Sequence, residues 1–255
     1  MLHIDFNSYR SVKGFNRRVR FLVMHYTACN FATSVKALAG EGGVSAHYLV
    51  PDPKDRTYIA EGFKNMRVFN LVDENERAWH AGVSYWAGRS NLNDTSIGIE
   101  TVNLASDNNG AFVFPPYNPV QIEAIKELAK NILQRYPDIS PVNVLGHADI
   151  APGRKSDPGA AFPWKALYEA GVGAWYDDST RSAYLTKFTA EGIPSNVEII
   201  ARLKTYGYDV SDATTASGLK LLVRAFQLHF RQDNYDGVID AETAAVLYAL
   251  IERYF

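Results

Sequence analysis

A chain of 255 residues with 47% hydrophobic and 21% charged residues has the balance of a globular protein, with room for one sizeable core and a smaller companion. Its net charge of -2 supplies no positive field to draw in a phosphate backbone, which argues against a nucleic-acid partner. The single cysteine, Cys29, excludes an intramolecular disulfide; no run reaches the length of a membrane span, and the N-terminal MLHIDFNSYR lacks the basic and apolar regions of a secretory leader.

In chain order, the first element is RFLVMH, an apolar run read as a buried strand ending at His25. Similar short runs lie at His47 to Val50, Val68 to Val72, Ser96 to Thr101 and Val144 to His147, and together they predict a mixed sheet. Asn118-Pro119 supplies an N-cap and a first-turn proline for a helix running to Tyr136. Ile122, Ile125, Leu128, Ala129, Ile132, Leu133 and Tyr136 share one face of it, and Pro137 stops it. From Asp177 the chain turns polar and weakly periodic, so 177–195 reads as a linker. Three helical patterns follow, at Val197 to Tyr206, Ala216 to Phe230 and Ala241 to Tyr254, enough for a small three-helix unit over 196–255.

Chemistry gathers at three points: His25 at one strand end, His147 at another, and Asp157 in the loop after it. Any one histidine is most often a hydrogen-bonded structural residue. Two imidazoles and a carboxylate together suit zinc, which in catalytic sites takes three protein ligands and leaves a fourth position for water. Asp157 precedes Pro158 and Gly159, a pairing that suits a rigid turn carrying a ligand. Cys29 lies four residues beyond His25 as a further thiol, although a free cysteine is commonly buried packing.

HYTA at His25, SAHYLV around His47, AWHAG from Ala78 to Gly82, LNDTSIGIE ending at Glu100 and GHADIAPGRKSDPG from Gly146 stand in order across roughly residues 1–176. In these blocks the chain resembles the type 2 N-acetylmuramoyl-L-alanine amidases of the AmpD and AmiD kind. The resemblance implies an α/β fold, with a mixed central sheet flanked by helices as in peptidoglycan-recognition proteins. It also implies one zinc per chain on His25, His147 and Asp157, with Glu100 and Lys155 as the catalytic glutamate and lysine. The implied reaction cuts the amide between muramic acid and the first L-alanine of the stem peptide, so the expected partners are peptidoglycan or muropeptides. Amide hydrolysis needs a proton carrier and a charge for the oxyanion, roles that fit a glutamate ending an apolar strand and a lysine beside the metal.

His47, Trp79, His80 and Asn93 are candidate substrate-binding residues, the two histidines alternatively supporting the zinc ligands or packing in the core. In the C-terminal unit, Phe226, Gln227, Asp236, Gly237, Asp240 and Thr243 resemble the second half of the three-helix peptidoglycan-binding module of cell-wall hydrolases. The domain expectation is thus a zinc amidase domain at 1–176, a linker at 177–195 and a peptidoglycan-binding-like domain at 196–255. A leaderless chain is expected in the cytoplasm by default, with specialised export to the periplasm as the route that gives a wall-binding unit its use. Two other functional classes stay open: a non-catalytic peptidoglycan receptor, and a zinc hydrolase that cuts within the stem peptide. The sequence leaves the oligomeric state undetermined.

Overall fold

A computed structural model describes all residues except 1, 2, 6, 10, 15, 16, 41 and 109, so part of the N-terminal stretch read above lies outside the described residues. The chain opens with β1 (Phe21–Tyr26), α1 (Phe31–Ala39), β2 (Tyr48–Val50), α2 (Arg56–Ala60) and β3 (Phe69–Asn70). A hairpin of β4 (Tyr85–Trp86) and β5 (Arg89–Ser90) leads to β6 (Ser96–Thr101), and a second hairpin pairs β7 (Ser106–Asn108) with β8 (Ala111–Val113). Next come α3 (Pro119–Arg135), β9 (Val144–Gly146), the short α4 (His147–Ile150) and α5 (Trp164–Glu169). The chain closes with α6 (Asp178–Glu191), α7 (Asn196–Tyr206), α8 (Ala216–Phe230) and α9 (Ala241–Tyr254). Among the described residues no helix is long and apolar enough to cross a membrane.

The central sheet runs β3-β2-β6-β1-β9. Its β2, β6, β1 and β9 are parallel and β3 is antiparallel, which makes the mixed α/β sheet expected from the apolar runs. Both faces of β1 are covered: Leu22 and Val23 are fully buried and Met24 nearly so, the condition that makes parallel strands read as unbroken hydrophobic stretches. Burying each such side chain contributes about 1.5–3 kcal/mol before entropy is counted. On α3, Asn118 Oδ1 accepts from Val120 N while Gln121 Oε1 accepts from Asn118 N, a reciprocal cap that starts the helix at Pro119. Gln121 Nε2 then donates to Val102 O at 2.8 Å and ties the helix start to the end of β6.

The stretch expected as an irregular linker, 177–195, is mostly the helix α6, capped by Asp177. Its polarity has a simple origin: Phe188 is buried, Tyr184 and Leu185 are half-buried beside it, and the outer face is solvated. Phe188 and Tyr184 pack on Tyr248 of α9, so α6 is fastened to the C-terminal unit. A single hydrophobic cluster runs from Leu22 and Ile97 in the sheet through Trp86 and Trp164 to Leu203, Phe226 and Leu250 in the last helices. At that junction Gly207 adopts φ +136, its carbonyl accepts from Ala87 N at 2.8 Å, and a Cβ there would stand 2.6 Å from the Trp86 ring. Gly207→Ala is therefore expected to lower stability by about 2 kcal/mol or more through overpacking and a disfavoured backbone. Urea unfolding checks this; an unchanged midpoint would show that Trp86 gives way freely.

Candidate metal centre and catalytic cleft

Parallel strands carry the site at their carboxyl ends, where α/β folds place ligands. In the β1–β6 ladder His25 stands opposite Glu100, so both side chains emerge on one face. β9 ends at Gly146, and His147 is the first residue of α4. The chain returns through a loop to Asp157, which Ala148 N holds by donating to Asp157 O at 2.8 Å. Tyr117 pins the same loop by donating from its hydroxyl to Pro158 O at 2.8 Å.

His25, His147 and Asp157 form a group able to hold a metal ion. The two Nδ1 atoms are 3.0 Å apart, and Asp157 Oδ2 lies 2.9 Å from His25 Nδ1 and 3.0 Å from His147 Nδ1. The outer nitrogens indicate the tautomers. His147 Nε2 lies 3.0 Å from the Ala81 carbonyl and so donates its proton there. His25 Nε2 donates to His80 Nδ1 at 2.9 Å, His80 Nε2 to Ser96 Oγ at 3.1 Å, and Ser96 Oγ to Leu92 O at 2.6 Å. With every proton directed outward, both inner Nδ1 atoms are lone-pair acceptors, as metal-ligating histidines require. Two lone pairs and a carboxylate facing one another repel, and a cation at their centre converts that repulsion into binding. The donor set therefore fits a metal.

Charges around the centre agree. Burial, reinforced by His147, lowers the His25 imidazole to about 4, and burial holds His80 neutral well below its ordinary range. Burial alone would raise Asp157, but the charges and hydrogen bonds of His147 and His25 outweigh it and hold the carboxyl far below the usual range. Glu100 goes the other way: burial first, then the Asp157 charge, raise it well above an ordinary carboxylate. Glu100 Oε2 is buried without a hydrogen-bond partner.

A cleft of about 480 Å³ opens over the group, lined by Glu100, Lys155, Trp79, His80, Arg154 and Cys29 among others. Trp79 is 56% exposed at its rim, with the Arg77 guanidinium 4.2 Å above the ring. Cys29 Sγ sits 3.3 Å from Ser34 Oγ and is not part of the metal group. His47 lies outside the cleft lining: its Nδ1 accepts from Gly98 N and its Nε2 faces Glu76 O. Asn93 is also buried away from the lining, where its Oδ1 accepts from His80 N and Ala81 N and so shapes the segment that orients His25 and His147.

Arg154 is a site residue the sequence reading passed over. Its Nη2 donates to Ala81 O at 2.8 Å, the carbonyl that also takes the His147 proton, and to Val83 O. Tyr26 and Ser156, whose hydroxyls are 2.7 Å apart, complete the wall beside Asp157. The usable signal was adjacency, since Tyr26 follows one ligand and Ser156 precedes another.

Residues 15–160 match the family described as N-acetylmuramoyl-L-alanine amidase. The chain is 44% identical over 238 residues to N-acetylmuramoyl-L-alanine amidase AmiD of Escherichia coli, covering 93% of this chain and 84% of that protein. It superposes on AmpDh3 of Pseudomonas aeruginosa in complex with an anhydromuramic pentapeptide with a TM-score of 0.96 at 60% identity, covering 100% of this chain and 99% of that one. The structure of E. coli AmiD with its substrate anhydro-N-acetylmuramic acid-L-Ala-D-gamma-Glu-L-Lys matches with a TM-score of 0.85 at 40% identity, over 98% and 97% of the two chains.

The His80 contact yields a direct expectation. His80→Ala removes the acceptor that orients His25, and loss of such an outer partner typically costs about 10- to 100-fold in metal affinity. Competition against a chromophoric chelator measures it, and wild-type affinity in the variant would mean that His25 keeps its orientation unaided.

Proposed function

The chain belongs to the N-acetylmuramoyl-L-alanine amidase family, and from that premise we propose that it hydrolyses the amide joining N-acetylmuramic acid, or its anhydro form, to the L-alanine that begins a peptidoglycan stem peptide. The observation that carries this reading is the convergence of His25 Nδ1, His147 Nδ1 and Asp157 Oδ2 in a cleft that Glu100 also lines. The anhydromuramyl peptides held by two similar proteins supply the substrate class.

We assign the metal as zinc, one per chain. Tetrahedral ligands at about 2.0–2.1 Å from zinc stand roughly 3.3 Å from one another, close to the spacing of the donor atoms here. When bound, zinc supplies a Lewis acid for the amide carbonyl and lowers the pKa of water.

The protein's own groups do the rest. Glu100, whose Oε2 is buried and unpartnered, takes a proton from the attacking water and returns it to the departing L-alanine nitrogen. Its raised proton affinity suits both halves of that cycle. Lys155, on the cleft wall, offers positive charge to the oxyanion of the tetrahedral intermediate, and Trp79 presents an apolar ring to sugar or peptide. The 196–255 unit is assigned to contact with the wall polymer on the strength of its sequence pattern. Imported fragments in the cytoplasm and wall material reached after export would both present the bond that is cut.

Mass spectrometry of an anhydromuramyl tripeptide digest should show the intact stem peptide with a free L-alanine amine; cleavage inside the stem would instead make the protein a peptidase. In the same assay, Glu100→Gln should keep its zinc and lose about 10²- to 10⁴-fold in single-turnover rate, because glutamine fills the space but carries no proton. Zinc loss in that variant would make Glu100 a ligand, and near-normal turnover would remove it from proton transfer.

A further inference from the structure

Two of the three metal-group residues, His147 and Asp157, stand at the ends of one short segment, and the C-terminal helix α8 lies along that segment. Asp149, two residues after His147 and 1% exposed, is the main junction. Its Oδ2 accepts from Gly146 N at 2.7 Å and from His229 Nδ1 at 2.7 Å, and its Oδ1 accepts from the Tyr208 hydroxyl at 2.6 Å. Two of these three donors belong to the C-terminal unit. The His229 ring is stacked on Trp164, with centroids 3.8 Å apart, and on Phe230 at 3.9 Å, which leaves it little freedom to turn.

Helix α8 touches the segment elsewhere as well. Leu221 packs so closely on Gly153 that a Cβ there would stand 2.6 Å from Leu221 Cδ1. Just beyond the helix, Gln232 Nε2 donates to Ala160 O and Phe162 O, immediately after the Asp157 turn. The turn itself has no slack: a Cβ on Gly146 would meet Pro158 Cδ at 2.8 Å and Trp164 Cζ2 at 3.3 Å. A shift of Asp149 therefore moves His147, one turn-side neighbour away, relative to Asp157.

We propose that the C-terminal unit sets the geometry of the metal centre, with His229 as a positioning residue that holds the His147 turn through the carboxylate of Asp149. This rests on the reading of His25, His147 and Asp157 as metal ligands. It gives the three-helix unit a part in the reaction that is independent of any wall contact. Without its donor from α8, Asp149 keeps only Gly146 N and the Tyr208 hydroxyl, and a buried carboxylate short of a donor is costly, which drives it to shift.

The test uses the full chain with zinc, and with cobalt as a spectroscopic probe. His229→Leu fills the space without a donor, whereas in His229→Asn the side-chain amide stands near the position of Nδ1 and restores one. Zinc affinity by chelator competition is expected to fall about 10- to 100-fold in His229→Leu, with altered visible absorption of the cobalt form, and to recover largely in His229→Asn. Tyr208→Phe, which removes a single hydroxyl, serves if His229→Leu does not fold, and should show a smaller loss of the same kind. Val246→Ala in α9 controls for stability alone: it should unfold more easily yet bind zinc as the wild type does. Wild-type affinity and an unchanged cobalt spectrum in His229→Leu, or in Tyr208→Phe where that variant stands in, would overturn the proposal. A wild-type chain that binds no zinc would overturn the metal reading itself, and this proposal with it.

Discussion

Everything about the site follows from the need to keep two buried imidazoles neutral with their lone pairs turned toward one carboxylate. A histidine that presents Nδ1 to the centre has to place its Nε2 proton elsewhere, and inside a protein that proton needs an acceptor. For His147 the acceptor is the Ala81 carbonyl; for His25 it is His80, which passes the same demand to Ser96 and then to the Leu92 carbonyl. Gly98 is part of this requirement, because a Cβ there would stand 2.5 Å from the His80 ring. Asn93, by gripping the amides of residues 80 and 81, fixes the two acceptors together. The segment AWHAG and the strand SIGIE are thus one device for orienting His25 and His147, which neither of them contains.

The same strand also brings an acid to the cleft. Because β6 is parallel to β1, its residue opposite His25 points into the same cleft, and that residue is Glu100. One strand therefore carries Ser96 and Gly98, which fix His80 and through it His25, and a carboxylate whose environment raises its proton affinity. Asp157 and Glu100 show how placement alone divides two acids: hydrogen bonds and charge from the imidazoles outweigh burial at Asp157, whereas Glu100 has burial and the Asp157 charge raising it together.

Much of this frame is legible in the sequence, for identifiable reasons. Strands covered on both faces appear as apolar runs, so β1, β2, β6 and β9 fall within a residue or two of the runs that mark them. The Asn118-Pro119 start of α3 is a local signal that the structure keeps. Helix α6 is hidden, because its inward stripe is short, little more than Tyr184, Leu185 and Phe188, in an otherwise polar run. The two-residue strands β4 and β5 are too short for any alternation. His47 and His80 look alike as sequence, one in SAHYLV and the other in AWHAG. They are told apart by which partners three-dimensional packing brings, backbone atoms to one and a ligand histidine to the other.

The C-terminal unit divides the same way. Gln227 uses its whole amide internally, accepting from Gly237 N and donating to Val238 O and Thr243 Oγ1, while Asp240 caps α9 through Thr243 N. The pattern FQ, DG, D-x-x-T therefore describes how α8, the turn after it and α9 close on one another, and its polar atoms are spent in doing so. Of the residues off that pattern, Tyr208 and His229 hold Asp149 between His147 and Asp157, and Gln232 holds the chain just after Asp157. A motif of this kind identifies which small fold is present. Where that fold docks, and what it does to its neighbour, is written in residues outside the motif.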